Sequence, residues 1–274
     1  LAAHGLVIET PHDRIVLKVN AITANEVKPL YDLVILSCKA YDLTTNSAAI
    51  ETAMSPSTVI VPLLNGIAHL EQLDGAFGRA RVMGGSCQIA ATLTRDGVVK
   101  SMSDTEAIVW GARDTLQTTS QTALAASLGE AFAKTAVDWR VSENIMLDMW
   151  EKLAFLSTLA GMTCLMRASV GAILATADGK ALMTQYLDTC IKIATREGYQ
   201  PRPAVLARYA NVLNSKGSLL TASMLRDIEA GNEVEADHIV GYMLNKARSY
   251  DLEHAIIATA YAHLQAYQRR RMAT

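Results

Sequence analysis

No GxGxxG occurs anywhere in the 274 residues. Without that loop, nothing in the chain directly places a dinucleotide pyrophosphate. Gly84-Gly85 does not substitute for it, because it lies inside an apolar run with no helix following. Histidine and cysteine are equally uninformative as ligands: six histidines show no HxxxH or HExxH spacing and four cysteines no CxxC. A dedicated metal site is excluded on spacing. Three of the cysteines sit in apolar runs, where they act as small hydrophobes in a reducing cytoplasm. No segment approaches the roughly 18–20 apolar residues of a membrane span, and no signal-peptide pattern is present. Charge of either sign is not in excess, with 25 Lys and Arg against 27 Asp and Glu. That balance excludes an electrostatic footprint for nucleic acid or an anionic membrane. The short run Arg269-Arg270-Arg271 suits a helix C-terminus instead.

What is present falls into two textures. Residues 1–141 read as α/β. The runs 32–38 and 58–64 are short, continuous and rich in β-branched residues, the pattern of parallel strands buried on both faces. A helix-like stretch over 42–55 separates them, giving strand–helix–strand spacing. Residues 81–92 read as a strand bent at its glycines. The turn Arg95-Asp96-Gly97, then 98–100 and 107–110, reads as antiparallel pairing at the sheet edge. A helix over 117–134 and a closing strand over 134–139 follow. From Ser142, a candidate N-cap, helices are predicted over 143–167, 169–175, 178–197, 203–213, 220–229, 232–250 and 254–270. Gly and Pro punctuate them. The boundary is placed at 141.

Three constellations could carry chemistry. Lys152 lies in a helix whose apolar residues recur at three and four (Ile145, Met149, Leu153, Leu156, Leu159). Such a lysine either snorkels to water or points into a polar cleft, where it can donate a proton. Lys39 and Asn65 follow the two parallel strands, where ligands of open α/β sheets bind, although lysine and Asn-Gly are also ordinary outside strands. Ser223 and Glu235 offer a hydroxyl and a carboxylate, against the plainer readings of a helix N-cap and a solvated helix carboxylate.

Taken in order, Tyr31 to Asp42, Leu64-Asn65-Gly66-Ile67-Ala68-His69, Trp150-Glu151-Lys152-Leu153, and Ser223-Met224-Leu225-Arg226-Asp227 with Glu235-Ala236-Asp237 resemble the ketopantoate reductase (2-dehydropantoate 2-reductase) family. The resemblance covers essentially the whole chain. His4-Gly5-Leu6-Val7-Ile8 resembles the family's stretch after its second strand and helix, and the chain opens without an initiator Met. The resemblance therefore implies that a first βαβ portion, with the glycine loop, lies upstream. It implies an α/β Rossmann-like N-terminal domain over 1–141, incomplete at its start, and an all-α substrate and dimerisation domain over 142–274, with the active site between them. It also implies a cytoplasmic NADPH-dependent oxidoreductase of pantothenate biosynthesis, a homodimer whose substrate is a small 2-oxo acid. Hydride would go to C2. By matching positions, Lys152 is the general acid, Glu235 the carboxylate on the substrate hydroxyl, and Ser223 a hydroxyl near the substrate carboxylate. Lys39, Asn65 and Glu235 match residues at the cofactor, and Asn65 the substrate as well.

The departures concern substrate. Family members that reduce ketopantoate carry asparagines one and two turns after the lysine and another before the serine. Here those positions are Leu156, Ala160 and Leu220. An apolar wall beside Lys152 would leave ketopantoate oxygens unpaired, so a more apolar 2-oxo acid is expected. Two alternatives stay open: a β-hydroxyacid dehydrogenase, whose catalytic helix pairs lysine with asparagine four residues on, and a non-catalytic dinucleotide-sensing member of the fold.

Overall fold

The computed structural model describes residues 1, 4–102, 106–113 and 119–273. Its contacts group into two units. The first comprises Leu1–Cys38, Asp42–Leu64 and Leu73–Ile145, and the second Lys39–Tyr41, Asn65–Gln72 and Met146–Thr274.

The first unit is α/β. Its centre is the parallel pair β3 (Leu33–Leu36) and β4 (Val59–Pro62), registered Leu33 to Val59 through Leu36 to Pro62. Helix α1 (Leu43–Ala53) joins them as the crossover. All four residues of β4 are buried, as a continuous Val-Ile-Val run requires. In β3, by contrast, Ile35 is exposed, because β4 is its one strand partner among the described residues. A parallel bridge from Ile60 to Val82 carries the pairing on to β5 (Gly84–Gln88), which runs antiparallel to β8 (Ala107–Gly111). β8 in turn pairs parallel with β9 (Asp138–Val141). Gly85 is what lets β5 close on β4: a Cβ there would sit 2.3 Å from the Pro62 carbonyl oxygen. The core gathers Val59, Val61, Met83, Ile108 and Trp110 under α3 (Thr119–Phe132). The indole of Trp110 stacks 5.7 Å from Trp139 and donates to the Ala125 carbonyl.

A second sheet of the same unit orders β1 (Leu6–Glu9), β2 (Arg14–Leu17), β6 (Ala91–Leu93) and β7 (Val98–Ser101) as β2-β1-β7-β6. The expected pairing therefore holds only in part. The 95–97 turn does join an antiparallel pair, β6 and β7, but β8 belongs to the other sheet. Alternation alone cannot choose between two sheets that accept the same pattern.

The second unit is helical around α4 (Ile145–Met166). α5 (Val170–Leu174) packs on α6 (Gly179–Arg196), and α6, α7 (Pro203–Leu213) and the start of α8 (Ser223–Glu229) meet α4 through Tyr186, Tyr209 and Ala222. Gly161 brings α6 close, since a Cβ would meet the Tyr186 hydroxyl at 2.4 Å, and that hydroxyl hydrogen-bonds Ser157. The single helix expected over 232–250 is broken. Gly231 takes φ 76°, residues 232–235 are not helical, a π-helical turn spans Asp237–Gly241, and α9 covers Tyr242–Ser249. The Tyr261 hydroxyl of α10 (Ala255–Ala273) donates to Asp237 at 2.6 Å, and Gly241 faces the same ring at a separation only glycine allows. Such π turns tend to mark functional positions. Among the described residues no helix is long and apolar enough to cross a membrane, and no cluster of His, Cys, Asp and Glu could hold a metal.

Candidate active site

Both strand-end segments, 39–41 and 65–72, group with the helical unit. Each begins three residues past a paired strand residue, Leu36 or Pro62. They seat on one stretch, Glu235 to His238, at the start of the π turn. The Ala40 N–H donates to Glu235 Oε1 at 3.0 Å, and Gly66, at φ 84°, lies so close to the His238 carbonyl that a Cβ would come within 2.8 Å. Glycine at 66 is thus required twice, by its left-handed backbone and by the close approach.

Two lysine-centred pairs result. Lys152, half-buried in the middle of α4, donates from Nζ to Asn65 Oδ1 at 3.1 Å. Lys39 Nζ lies 3.2 Å from Asp227 and 3.9 Å from Glu235. Burial alone would lower the Lys39 pKa, but the Glu235 carboxylate and then Asp227 outweigh it, so the ammonium is held above its ordinary range. Lys39 is therefore a fixed charge rather than a proton donor near neutrality. Glu235, with 6% of its surface exposed, is no solvated helix carboxylate: it precedes the π turn and is bound by a backbone N–H and a lysine.

The remaining residues expected at the site fall differently. Ser223 is not the N-cap of α8, which is Ala222. It is the first helical residue, exposed, and one turn before Asp227 on the same face. Leu156 is half-buried one turn beyond Lys152, whereas Ala160 is 1% exposed and lines no open wall. The Leu220 carbonyl accepts from Val170 N–H, and Ala222 N–H donates to Thr163. The second bond ties the Ala222 backbone about 16 Å along α4 from Lys152, at 1.5 Å per residue.

A brace beside Lys152 went unread in the sequence. Arg202 donates from its backbone N–H to Glu151 at 2.6 Å and from Nε to both carboxylate oxygens at 2.9 and 3.0 Å. Its Nη2 reaches Glu151 and Asp148 together. Hydrogen bonding to Glu151 drives the Arg202 pKa above its ordinary value against burial, and Asp148 adds to it. The signal was available: two carboxylates three residues apart in an apolar helix demand a cation. A groove of about 660 Å³ elsewhere, along α6, is lined by Lys180, Thr184, Asp188 and Lys192 and contains none of these residues.

The chain matches the family model "Ketopantoate reductase PanE/ApbA" over residues 1–115 and "Ketopantoate reductase PanE/ApbA C terminal" over 144–268. It is 31% identical to an uncharacterized oxidoreductase, YkpB, of Bacillus subtilis (strain 168), over 96% of this chain and 86% of that protein. Among solved structures, a PanE/ApbA family ketopantoate reductase from Ralstonia eutropha JMP134 superposes with a TM-score of 0.84 at 20% identity, covering 98% of this chain and 87% of that one. D-Mandelate dehydrogenase with NADH and anilino(oxo)acetate also gives 0.84 at 20% identity, over 98% and 86%. These likenesses speak for the fold: a Rossmann-like α/β domain with a mixed sheet, then a helical domain. Lys39 and Asn65 fall within the first family segment and Lys152, Ser223 and Glu235 within the second, and the chain belongs to the ketopantoate reductase family.

Proposed function

We propose that this chain is an NADPH-dependent reductase of a 2-oxo acid more apolar than ketopantoate, with Lys152 as general acid. The observation that carries the reading is the hydrogen bond from Lys152 Nζ to Asn65 Oδ1, which holds an ammonium at a strand-end segment of a Rossmann-like fold. Residues 1–141 are assigned the dinucleotide and 142–274 the substrate and self-association, in a cytoplasmic setting that suits four free cysteines.

The donor set fits a nicotinamide dinucleotide: Lys39 and Asn65 both follow parallel strands, beyond the carboxyl ends where such ligands lie. When bound, the nicotinamide supplies a hydride to C2 of the oxo acid. The chain's own residues manage the oxygen. Asn65 accepts from the Lys152 ammonium and orients it. The ammonium stabilises the developing alkoxide and delivers a proton to it. Glu235 keeps lone pairs beyond its bonds to Ala40 and Lys39, and these accept from the hydroxyl formed at C2. Ser223 donates to the substrate carboxylate from the turn before Asp227.

Apolar character rests on Leu156, one turn beyond the lysine, and it is consistent with the aromatic oxo-acid analogue held by the D-mandelate dehydrogenase neighbour. The test is oxidation of NADPH and NADH by the chain against a panel of 2-oxo acids, with Lys152→Ala beside it. The variant is expected to lose at least ~100-fold in kcat. A near-wild-type rate would remove Lys152 from the mechanism.

A further inference from the structure

Between residues 148 and 160 of α4 every side chain is buried except Lys152, Phe155 and Leu156. At 3.6 residues per turn, Phe155 lies about 60° to one side of the lysine and Leu156 about 40° to the other. The open face one turn above the ammonium is therefore two large apolar side chains.

What stands behind Phe155 is also fixed. Asp148, Glu151 and Phe155 form one stripe of α4, on the same flank of Lys152. Arg202 takes the two carboxylates, and Tyr209 on α7 stacks on Phe155 with ring centroids 4.6 Å apart. Arg208 lies over the other partner of that stack, 5.2 Å from the Tyr209 centroid. Tyr209 thus covers one side of Phe155, which stays half-buried beside the Lys152 stripe. Tyr209 is half-buried, and burial raises its hydroxyl pKa despite the neighbouring Arg208 guanidinium.

We propose that Phe155, backed by Tyr209 and continued by Leu156, is the specificity wall for the group attached to C2 of the oxo acid, and that this group is aromatic or branched aliphatic. The proposal rests on the reductase reading above. A flat or branched group laid on Phe155 and Leu156 gains apolar contact while its C2 oxygen remains within the reach of the lysine side chain one turn below. A small or hydroxylated group would leave the wall uncovered or its own hydroxyl unpaired.

The experiment compares benzoylformate, 4-methyl-2-oxopentanoate and 2-oxobutanoate with the full chain, reading the ratio of kcat/KM for benzoylformate over 2-oxobutanoate. Wild type is expected to favour benzoylformate. Phe155→Ala should lower the ratio at least ~10-fold, chiefly through KM. Phe155→Leu keeps apolar volume and so its fold, and should shift preference from benzoylformate toward 4-methyl-2-oxopentanoate. Tyr209→Ala should lower the ratio less than Phe155→Ala does. Equal losses on all three substrates, or a wild-type preference for 2-oxobutanoate, would overturn the wall. If no oxo acid is reduced with either cofactor, the reductase reading fails, and calorimetry with anilino(oxo)acetate decides the wall alone. Binding weakened at least ~10-fold by Phe155→Leu supports it, and no binding to wild type refutes it.

Discussion

Replacing Arg202 by Met removes the guanidinium that holds two buried carboxylates beside the proposed acid. Glu151 is 2% exposed and the Asp148 side chain 7%, while Arg202 itself keeps 47% of its side-chain surface in water. Breaking a fully buried pair from one side costs about 3–5 kcal/mol, because a charge is left without a partner. Two features reduce that figure here. The backbone N–H of residue 202 still reaches Glu151, and water can enter where the half-exposed guanidinium stood. Charge-assisted hydrogen bonds to two carboxylates remain lost, at about 1.5–3 kcal/mol each before water replaces part of them. The net expectation is a loss of about 2–3 kcal/mol, or about 5–10 °C in the Tm of the helical unit. Urea titration followed by far-ultraviolet circular dichroism measures it, with the slope unchanged if the effect is on stability alone. Adding Glu151→Gln to the variant removes one stranded charge and should recover about 1 kcal/mol. A loss under about 0.5 kcal/mol, or strict additivity of the two substitutions, would refute the reasoning.

Leu156→Asn should raise the ratio of kcat/KM for ketopantoate over 4-methyl-2-oxopentanoate by about 10-fold, and Leu220→Asn should add little to it. No gain from Leu156→Asn would show that this leucine does not meet the substrate. Cys164 and Cys190 are buried, and burial pushes both thiols up to about 12. At pH ~8 their thiolate fraction is of order 10⁻⁴, so iodoacetamide should label Cys38 and Cys87 in the folded chain and the other pair only after denaturation. Labelling of all four at one rate would contradict the packing. Lys39 has a raised pKa, so its pairing stabilises the fold below the ordinary lysine range and is lost as pH rises through the raised value. Lys39→Met should therefore lower Tm near neutrality and flatten its decline between pH ~10 and ~12. An unchanged slope in that window would mean the ion pairs add nothing.

Sequence periodicity located the elements well where each stripe had one place to go. The α4 repeat, the buried β4 run and the α1 crossover follow from local pattern alone. It failed where a distant group decides. Residues 232–241 read as continuous helix, yet Glu235 is drawn to the Ala40 N–H and Asp237 to the Tyr261 hydroxyl, and the chain bends to serve both. Residues 98–101 and 107–111 are both strand-like, and only the tertiary register assigns them to separate sheets. At the candidate site, Lys39, Asn65 and Lys152 could be singled out in advance because strand-end placement and helix burial are local properties, whereas Glu235 is singled out by the family resemblance. Their pairing could not, since Lys39 meets Asp227 across 188 residues of chain and Lys152 meets Asn65 across 87.

On the proposed reading, the site separates what would handle the reacting oxygen from what would select the substrate. Asn65 and Glu235 are placed by backbone: Gly66 against the His238 carbonyl, and the Ala40 N–H on the Glu235 carboxylate. Neither contact depends on the side chains at 155 or 156. Those two project from the open arc of α4, where substitution alters the wall without moving the segments that hold Asn65 and Glu235. A change from amide to leucine at 156 can then exchange one class of oxo acid for another at the cost of a few kcal/mol in discrimination, while the lysine keeps its partner. Family membership fixes the fold, and on the proposed reading the face of one helix, one turn above Lys152, would decide the substrate.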